Sequence, residues 1–288
     1  MIVKDAAKQK TVFFVRKEHV VAILRDAVYG AAIGDALGVP FEFKARGTFS
    51  CTDMVGYGTH HQPAGTFSDD TSMMLATCDS LRVNGGEVDT HDMRERFVRW
   101  MDEGAYAVDG IVFDRGITVS RALRRGHGLK GERDNGNGSL MRIVPLAFVD
   151  AGRGKIREVS SITHAHKTST ESCVVFVEVA RRLASGVPVA DTLADAGFDE
   201  YEFSSEKPRD LVRSGGYVLD TLDAAFWCLA RTKSYSECVL SAVNLGGDTD
   251  TTACVAGALA GIVYGYDAIP TTWIETLRGK DLIESCLF

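Results

Sequence analysis

The sequence predicts an all-α protein folded as one compact domain, and three observations carry that prediction. Apolar residues recur at helical spacing in segment after segment. Convincing strands are scarce. The 288 residues hold only six prolines and no fixed-period repeat, low-complexity tract or rigid linker.

Each element follows from local pattern. Val20, Val21, Leu24, Ala27, Val28 and Ala31 predict a first helix over residues 17–37, ended by Gly38 and Pro40. Ser68, followed by Asp69 and Asp70, reads as an N-cap with an acidic first turn, and Met73, Met74 and Ala76 continue that helix. Thr90 can cap a segment carrying Met93, Phe97, Val98 and Met101. Ser139 can cap a helix through SLMRIVPLAFV that Pro145 should kink. Further helices are predicted over 168–184, 217–230, 234–243 and 248–263. The best local strand is 11–15, and 199–210 (DEYEFSSEKPRD) reads as a polar connection. Residues 1–16 read as an extension, flexible or a contact arm, on a domain covering 17–288.

Bulk properties narrow the function. The composition is 45% hydrophobic and 25% charged, ordinary for a globular protein, and the net charge of −7 argues against a nucleic-acid or membrane-surface partner. Seven cysteines, an odd number with no C-x-x-C, several of them in apolar helical patterns, point to a reducing cytoplasmic setting. The N-terminus lacks the long apolar core of a signal peptide, and 253–265 is too short to span a bilayer.

The chemistry concentrates in two clusters. Gly246-Gly247-Asp248-Thr249-Asp250-Thr251 opens a small, apolar helix, and Gly65-Thr66-Phe67-Ser68-Asp69-Asp70-Thr71 opens another. Either alone can be a helix cap. Asp248 and Asp250 serve one site only if the two glycines form a turn and the aspartates occupy the cap and first turn. Brought together, four carboxylates repel unless cations hold them, and oxygen ligands suit two hard divalent ions, Mg²⁺ first and Mn²⁺ second. No His or Cys pair at ligand spacing near either cluster favours zinc. Gly257, Gly261 and Gly265 recur every four residues and allow close approach of another backbone. Glu42, between Phe41 and Phe43, is either a surface residue or a carboxyl tuned for acid–base work. Asn135-Gly136-Asn137-Gly138-Ser139 is a turn whose N–H groups can hold a phosphate. Thr163-His164-Ala165-His166 reads as one buried and one exposed histidine more readily than as a metal site, and His60 and His61 read as loop residues.

Together GDALGVPFE, GTFSDDTSMML, VFDRGITVSRAL, NGNGSLMR, ITHAH and NLGGDTDTTACVAGALAGIVYG resemble the ADP-ribosylglycohydrolase family, in the family's order and over most of 28–266. The resemblance implies an orthogonal multi-helix fold with a two-metal cleft that releases ADP-ribose from modified protein, most readily from arginine. It implies metal ligands Ser68, Asp69, Asp70, Asp248, Asp250 and Thr251, with Ser68 standing where the family usually has threonine. It implies that Asp69, Asp70 or Glu42 activates water and that Asp114 lies near the scissile bond. Asn135, Gly136, Gly138, Ser139 and His164 are implied to line the ADP-ribose pocket. Two other readings stay open: a two-metal hydrolase of another nucleotide or phosphate ester, and a binding or immunity protein that sequesters an ADP-ribosyltransferase.

Overall fold

Helical periodicity is realised along almost the whole chain. The structure is a computed structural model; it describes residues 3–198 and 201–288, with side chains described from 21 onward. Its helices are α1 (Val3–Gly38), α2 (Asp69–Val83), α3 (Thr90–Glu103), α4 (Ile117–Arg125), α5 (Arg153–Ser160), α6 (Lys167–Ala184) and α7 (Val189–Ala194). After a two-stranded hairpin come α8 (Val218–Arg231), α9 (Tyr235–Val243), α10 (Thr249–Tyr264), α11 (Thr271–Thr276) and α12 (Lys280–Cys286).

The centre of the fold is α10. Its residues from Thr249 through Ile262 are all buried, as a helix apolar on every side requires. It lies against α1, with α8 and α9 beside it. Glycines on both helices make that contact. A Cβ on Gly30 would sit 2.3 Å from the Gly257 carbonyl oxygen, one on Gly34 2.0 Å from that of Ala253, and one on Gly261 2.1 Å from that of Asp26. A Cβ on Gly38 would meet Asp250 Cα at 2.3 Å. Gly257 and Gly261 of the stripe anticipated on α10 therefore have a partner stripe on α1, where the two backbones touch without intervening side chains; Gly265 instead ends α10 at positive φ, where a Cβ would meet no neighbour.

Four expectations change. Residues 11–15 lie within α1 and form no strand: a strand needs a ladder partner, and the hairpin strands β1 (Gly197–Phe198) and β2 (Tyr201–Glu202) pair with each other. That hairpin adjoins the stretch expected to be a plain polar connection, of which 199–200 lie outside the described residues. Ser139 starts no α-helix; the segment is a turn followed by a 3-10 helix, Val144–Phe148, because Pro145 cannot donate an α-helical bond. The cap of α3 is Asp89, whose carboxylate accepts from the N–H groups of His91 and Asp92, with Thr90 as the first helical residue.

Gly34→Ala is expected to destabilise the fold by about 3 kcal/mol or more, since backbone atoms on both sides leave nothing flexible to move. Urea unfolding checks this; a cost near zero would mean that the helices separate freely.

Candidate metal centre and ligand pocket

Two helix N-termini converge beside the end of α1. Gly246 and Gly247 both have left-handed backbone (φ 75 and 76), which turns the chain sharply into α10. This turn is stitched to the segment after α1: the Phe43 N–H donates to the Gly247 carbonyl (2.7 Å) and the Gly247 N–H to that of Lys44 (2.9 Å). The Thr249 hydroxyl donates to the Gly38 carbonyl (2.8 Å). Glu42 is thereby carried to the α10 aspartates. Asp248 occupies the N-cap position, yet its side chain caps nothing; its Oδ2 accepts from Asn137 Nδ2 (2.9 Å).

The start of α2 is held by a residue to which the sequence reading gave no role. Asp35, fully buried on α1, accepts from the Ser68 N–H (2.9 Å), the Thr71 N–H (3.0 Å) and the Thr71 hydroxyl (2.6 Å). The available signal was an acidic residue inside an apolar helical face. Ser68 caps α2 as expected, its hydroxyl accepting from the Asp70 N–H (3.2 Å). Across the cleft the Thr251 hydroxyl donates to Asp70 Oδ2 (3.3 Å), joining the two helix starts.

Two donor groups result. Oxygens of Asp69, Asp70 and Asp114 lie within 4.8 Å of one another, as do donor atoms of Glu42, His60, Asp114 and Asp250. Asp114 reaches both groups from a left-handed backbone (φ 49). His60 was read as a loop residue; it ends a 3-10 turn, Gly58–His60, and bonds the Glu42 carboxylate through Nε2. The donor set is therefore oxygens plus one imidazole. Nothing local marked His60, because its partner lies on the segment after α1.

The electrostatics show what the residues lack. Burial pushes Asp69, Asp70 and Asp250 well above the ordinary carboxyl range, and neighbouring carboxylates push them further. Burial raises Glu42 to about 7, with Asp114 and Asp248 adding to the rise and the His60 bond opposing it. Burial raises Asp35 to about 6 despite its three donors, and raises Asp114 as well. Asp70 Oδ1, Asp248 Oδ1 and Asp250 Oδ2 are buried without a hydrogen-bond partner among the described residues. Such oxygens on neighbouring aspartates could hold divalent cations, whose charge would offset the repulsion.

The glycine turn lies across the cleft. A Cβ on Gly136 would be 3.5 Å from His164 Nε2, and one on Gly138 3.0 Å from its Cε1. Ser139 is buried behind the turn, its Oγ 3.0 Å from that of Ser160, and Asn135 accepts from the Ser169 hydroxyl (3.1 Å). Burial, then Arg142, hold His164 down at about 3, so it is neutral. Arg142, fully buried, donates to the Gly138 carbonyl and to Thr163 Oγ1 (2.8 Å), which lies 2.8 Å from His164 Nδ1. With the guanidinium donating into its oxygen, the Thr163 hydroxyl has its own proton free for Nδ1, an arrangement that would put the imidazole proton on Nε2, facing the glycine turn. His166 does separate work, accepting from the Thr168 N–H at the start of α6.

In an almost wholly helical fold, clustered buried carboxylates thus adjoin a glycine turn backed by a histidine. The ADP-ribosylglycohydrolase family profile matches residues 19–287, and the chain belongs to that family of enzymes. It is 35% identical over 283 residues to the ADP-ribosylarginine hydrolase Tri1 of Pseudomonas putida, covering 90% of this chain and 75% of that one. It is 31% identical to the ADP-ribosyl-[dinitrogen reductase] glycohydrolase of Rhodospirillum rubrum, covering 88% and 90%. A solved structure described as an ADP-ribosylglycohydrolase-related protein complex superposes with a TM-score of 0.79 at 31% identity, over 94% of this chain and 97% of that one.

Two predictions follow from the geometry. Each raised carboxyl binds more protons folded than unfolded, so its contribution to metal-free stability is present at low pH and lost as pH rises through its folded value. Protons also compete with cations for the same oxygens. The rise in Tm on adding Mg²⁺ is therefore expected to grow from about pH 5 to about pH 8; a constant rise would contradict the assignment. Thr163→Val is expected to cost about 1–3 kcal/mol and to shift the His164 tautomer, read by ¹⁵N imidazole spectra, while Thr163→Ser keeps it. An unchanged tautomer in the valine variant would refute the relay.

Proposed function

We propose that the protein hydrolyses the glycosidic bond between ADP-ribose and an arginine side chain of a modified protein, using two divalent cations, Mg²⁺ or Mn²⁺. The observation that supports this reading is the set of buried oxygens on Asp70, Asp248 and Asp250 that have no hydrogen-bond partner among the described residues. The ligands proposed are Ser68, Asp69, Asp70, Asp248, Asp250 and Thr251, the residues that open α2 and α10. When bound, the ions would supply positive charge that orients the ribose hydroxyls and acidifies water.

The residues divide the remaining work. Breaking the bond develops oxocarbenium character at the anomeric carbon; in this reading the clustered carboxylates of Asp69, Asp70 and Asp114 would stabilise it. Glu42, raised to about 7 by burial, is poised near neutrality to orient or deprotonate the attacking water. His60 fixes the orientation of its carboxylate. The Nε2–H of His164 and the turn formed by Asn135, Gly136, Gly138 and Ser139 are proposed to hold the ADP-ribose moiety. The seven cysteines, all unpaired and buried, support a reducing, cytoplasmic setting. Among the described residues no helix is long and apolar enough to cross a membrane.

The test is incubation with arginine-linked and serine-linked ADP-ribosyl peptides, with Mg²⁺ or EDTA, followed by detection of free ADP-ribose. Release of phosphate or a nucleoside monophosphate in its place would favour a different two-metal hydrolase. Asp250→Ala is expected to lower turnover about 100-fold or more. The same change should raise the metal-free Tm, because it removes one of several repelling buried carboxyls. Wild-type turnover, with an unchanged response to Mg²⁺, would reduce Asp250 to a first-turn helix residue.

A further inference from the structure

The mouth of the cleft carries aromatic side chains that the reaction described above does not use. Phe43 is 70% exposed, and its backbone is left-handed (φ 63), an uncommon conformation for a bulky residue. It is held there by its N–H bond to the Gly247 carbonyl. Phe113 is half-buried and precedes Asp114, itself left-handed (φ 49). The two dipeptides Glu42-Phe43 and Phe113-Asp114 thus repeat one arrangement: a carboxylate in the donor cluster and an aromatic ring next to it. His60 joins them. Its ring lies 6.1 Å from that of Phe43 and 5.2 Å from that of Phe113, while its Nε2 bonds Glu42.

An exposed ring on a strained backbone has a cost in both solvation and conformation, and such outliers gather where a ligand is handled. Here the two rings flank His60, which bonds Glu42, and each is the chain neighbour of a carboxylate in the donor cluster. Aromatic surface beside carboxylates suits a group that is planar, cationic and weakly hydrated, which describes a guanidinium. A neutral base would gain stacking from the rings and hydrogen bonds at most from the carboxylates, without the attraction between opposite charges. An aliphatic hydroxyl acceptor would gain neither. Lys44, the neighbouring cation, is turned away over the Phe41 ring at 5.0 Å.

We propose that Phe43 and Phe113, bridged by His60, form an acceptor subsite that stacks the guanidinium of the ADP-ribosylated arginine at the mouth of the cleft. The proposal rests on the arginine-linked reading of the site and names the residues that select that linkage. Phe43 is a specificity residue: it positions the leaving group and takes no part in proton transfer.

The experiment compares wild type with Phe43→Ala, Phe43→Leu, Phe43→Trp and Phe43→Gly. Steady-state kinetics are measured on an arginine-linked ADP-ribosyl peptide, and binding of free ADP-ribose, which has no acceptor, by calorimetry. The alanine and leucine variants are expected to raise KM about 5- to 20-fold while the ADP-ribose Kd stays within about twofold. Tryptophan should restore KM, since it keeps the π face that leucine lacks. Phe43→Gly should raise Tm, by relieving the backbone, and still raise KM. Leucine behaving like phenylalanine, no change in KM, or equal weakening of peptide and ADP-ribose would overturn the subsite. Failure of the wild type to release ADP-ribose from the arginine-linked peptide would overturn the functional reading itself, and the subsite with it.

Discussion

Everything at the site depends on the direct backbone contact between α1 and α10. Gly30, Gly34 and Gly38 on one helix meet Ala253, Gly257, Gly261 and the Asp250 backbone on the other, at separations that leave no room for a Cβ. Dispersion between tightly apposed backbones replaces the usual interdigitated side chains. The geometric consequence is exact registry. α10 begins where α1 ends, so Asp250 stands against Gly38, and the chain leaving α1 can exchange backbone bonds with the Gly246-Gly247 turn. Glu42 and the α10 aspartates are neighbours because two glycine stripes are.

The same helix α1 places the second cluster. Asp35 lies three residues before Gly38 and grips the first turn of α2 through three donors. One helix therefore fixes both halves of the cleft, one by steric fit and the other by hydrogen bonds. The N-termini of α2 and α10 point their N–H groups and positive dipole ends toward the carboxylates. That field does not neutralise them, since Asp69, Asp70 and Asp250 are still held well above the ordinary range. Cations held among these carboxylates would offset the repulsion and stabilise the folded chain.

On the other side of the cleft the logic is different. Arg142 is buried, and its guanidinium is spread over the Gly138 carbonyl, the Thr163 hydroxyl and, at 4.6 Å, the Phe97 ring. Burial, with Arg142 adding to it, keeps His164 neutral, and Arg142 also ties down the Gly138 carbonyl.

Much of this was legible in the chain. Helical spacing gave most of the helices, and the repeated hydroxyl–Asp clusters identified the two helix starts before any contact was known. The turn at Gly246-Gly247 followed from glycine's freedom at positive φ. The family resemblance rested on motifs in order along the sequence. Sequence periodicity could not pair one glycine stripe with another more than 200 residues away, because pairing is a property of three-dimensional fit. It could not bring His60 to Glu42, turn the Asp248 side chain from capping toward Asn137, or give Asp35 its grip on α2. The sequence by itself determined which segments are helical and which residue types can hold a cation. Tertiary structure alone decided which carboxylates face one another and which stay unpaired, because burial and distance set those energies, and neither exists until the helices have packed.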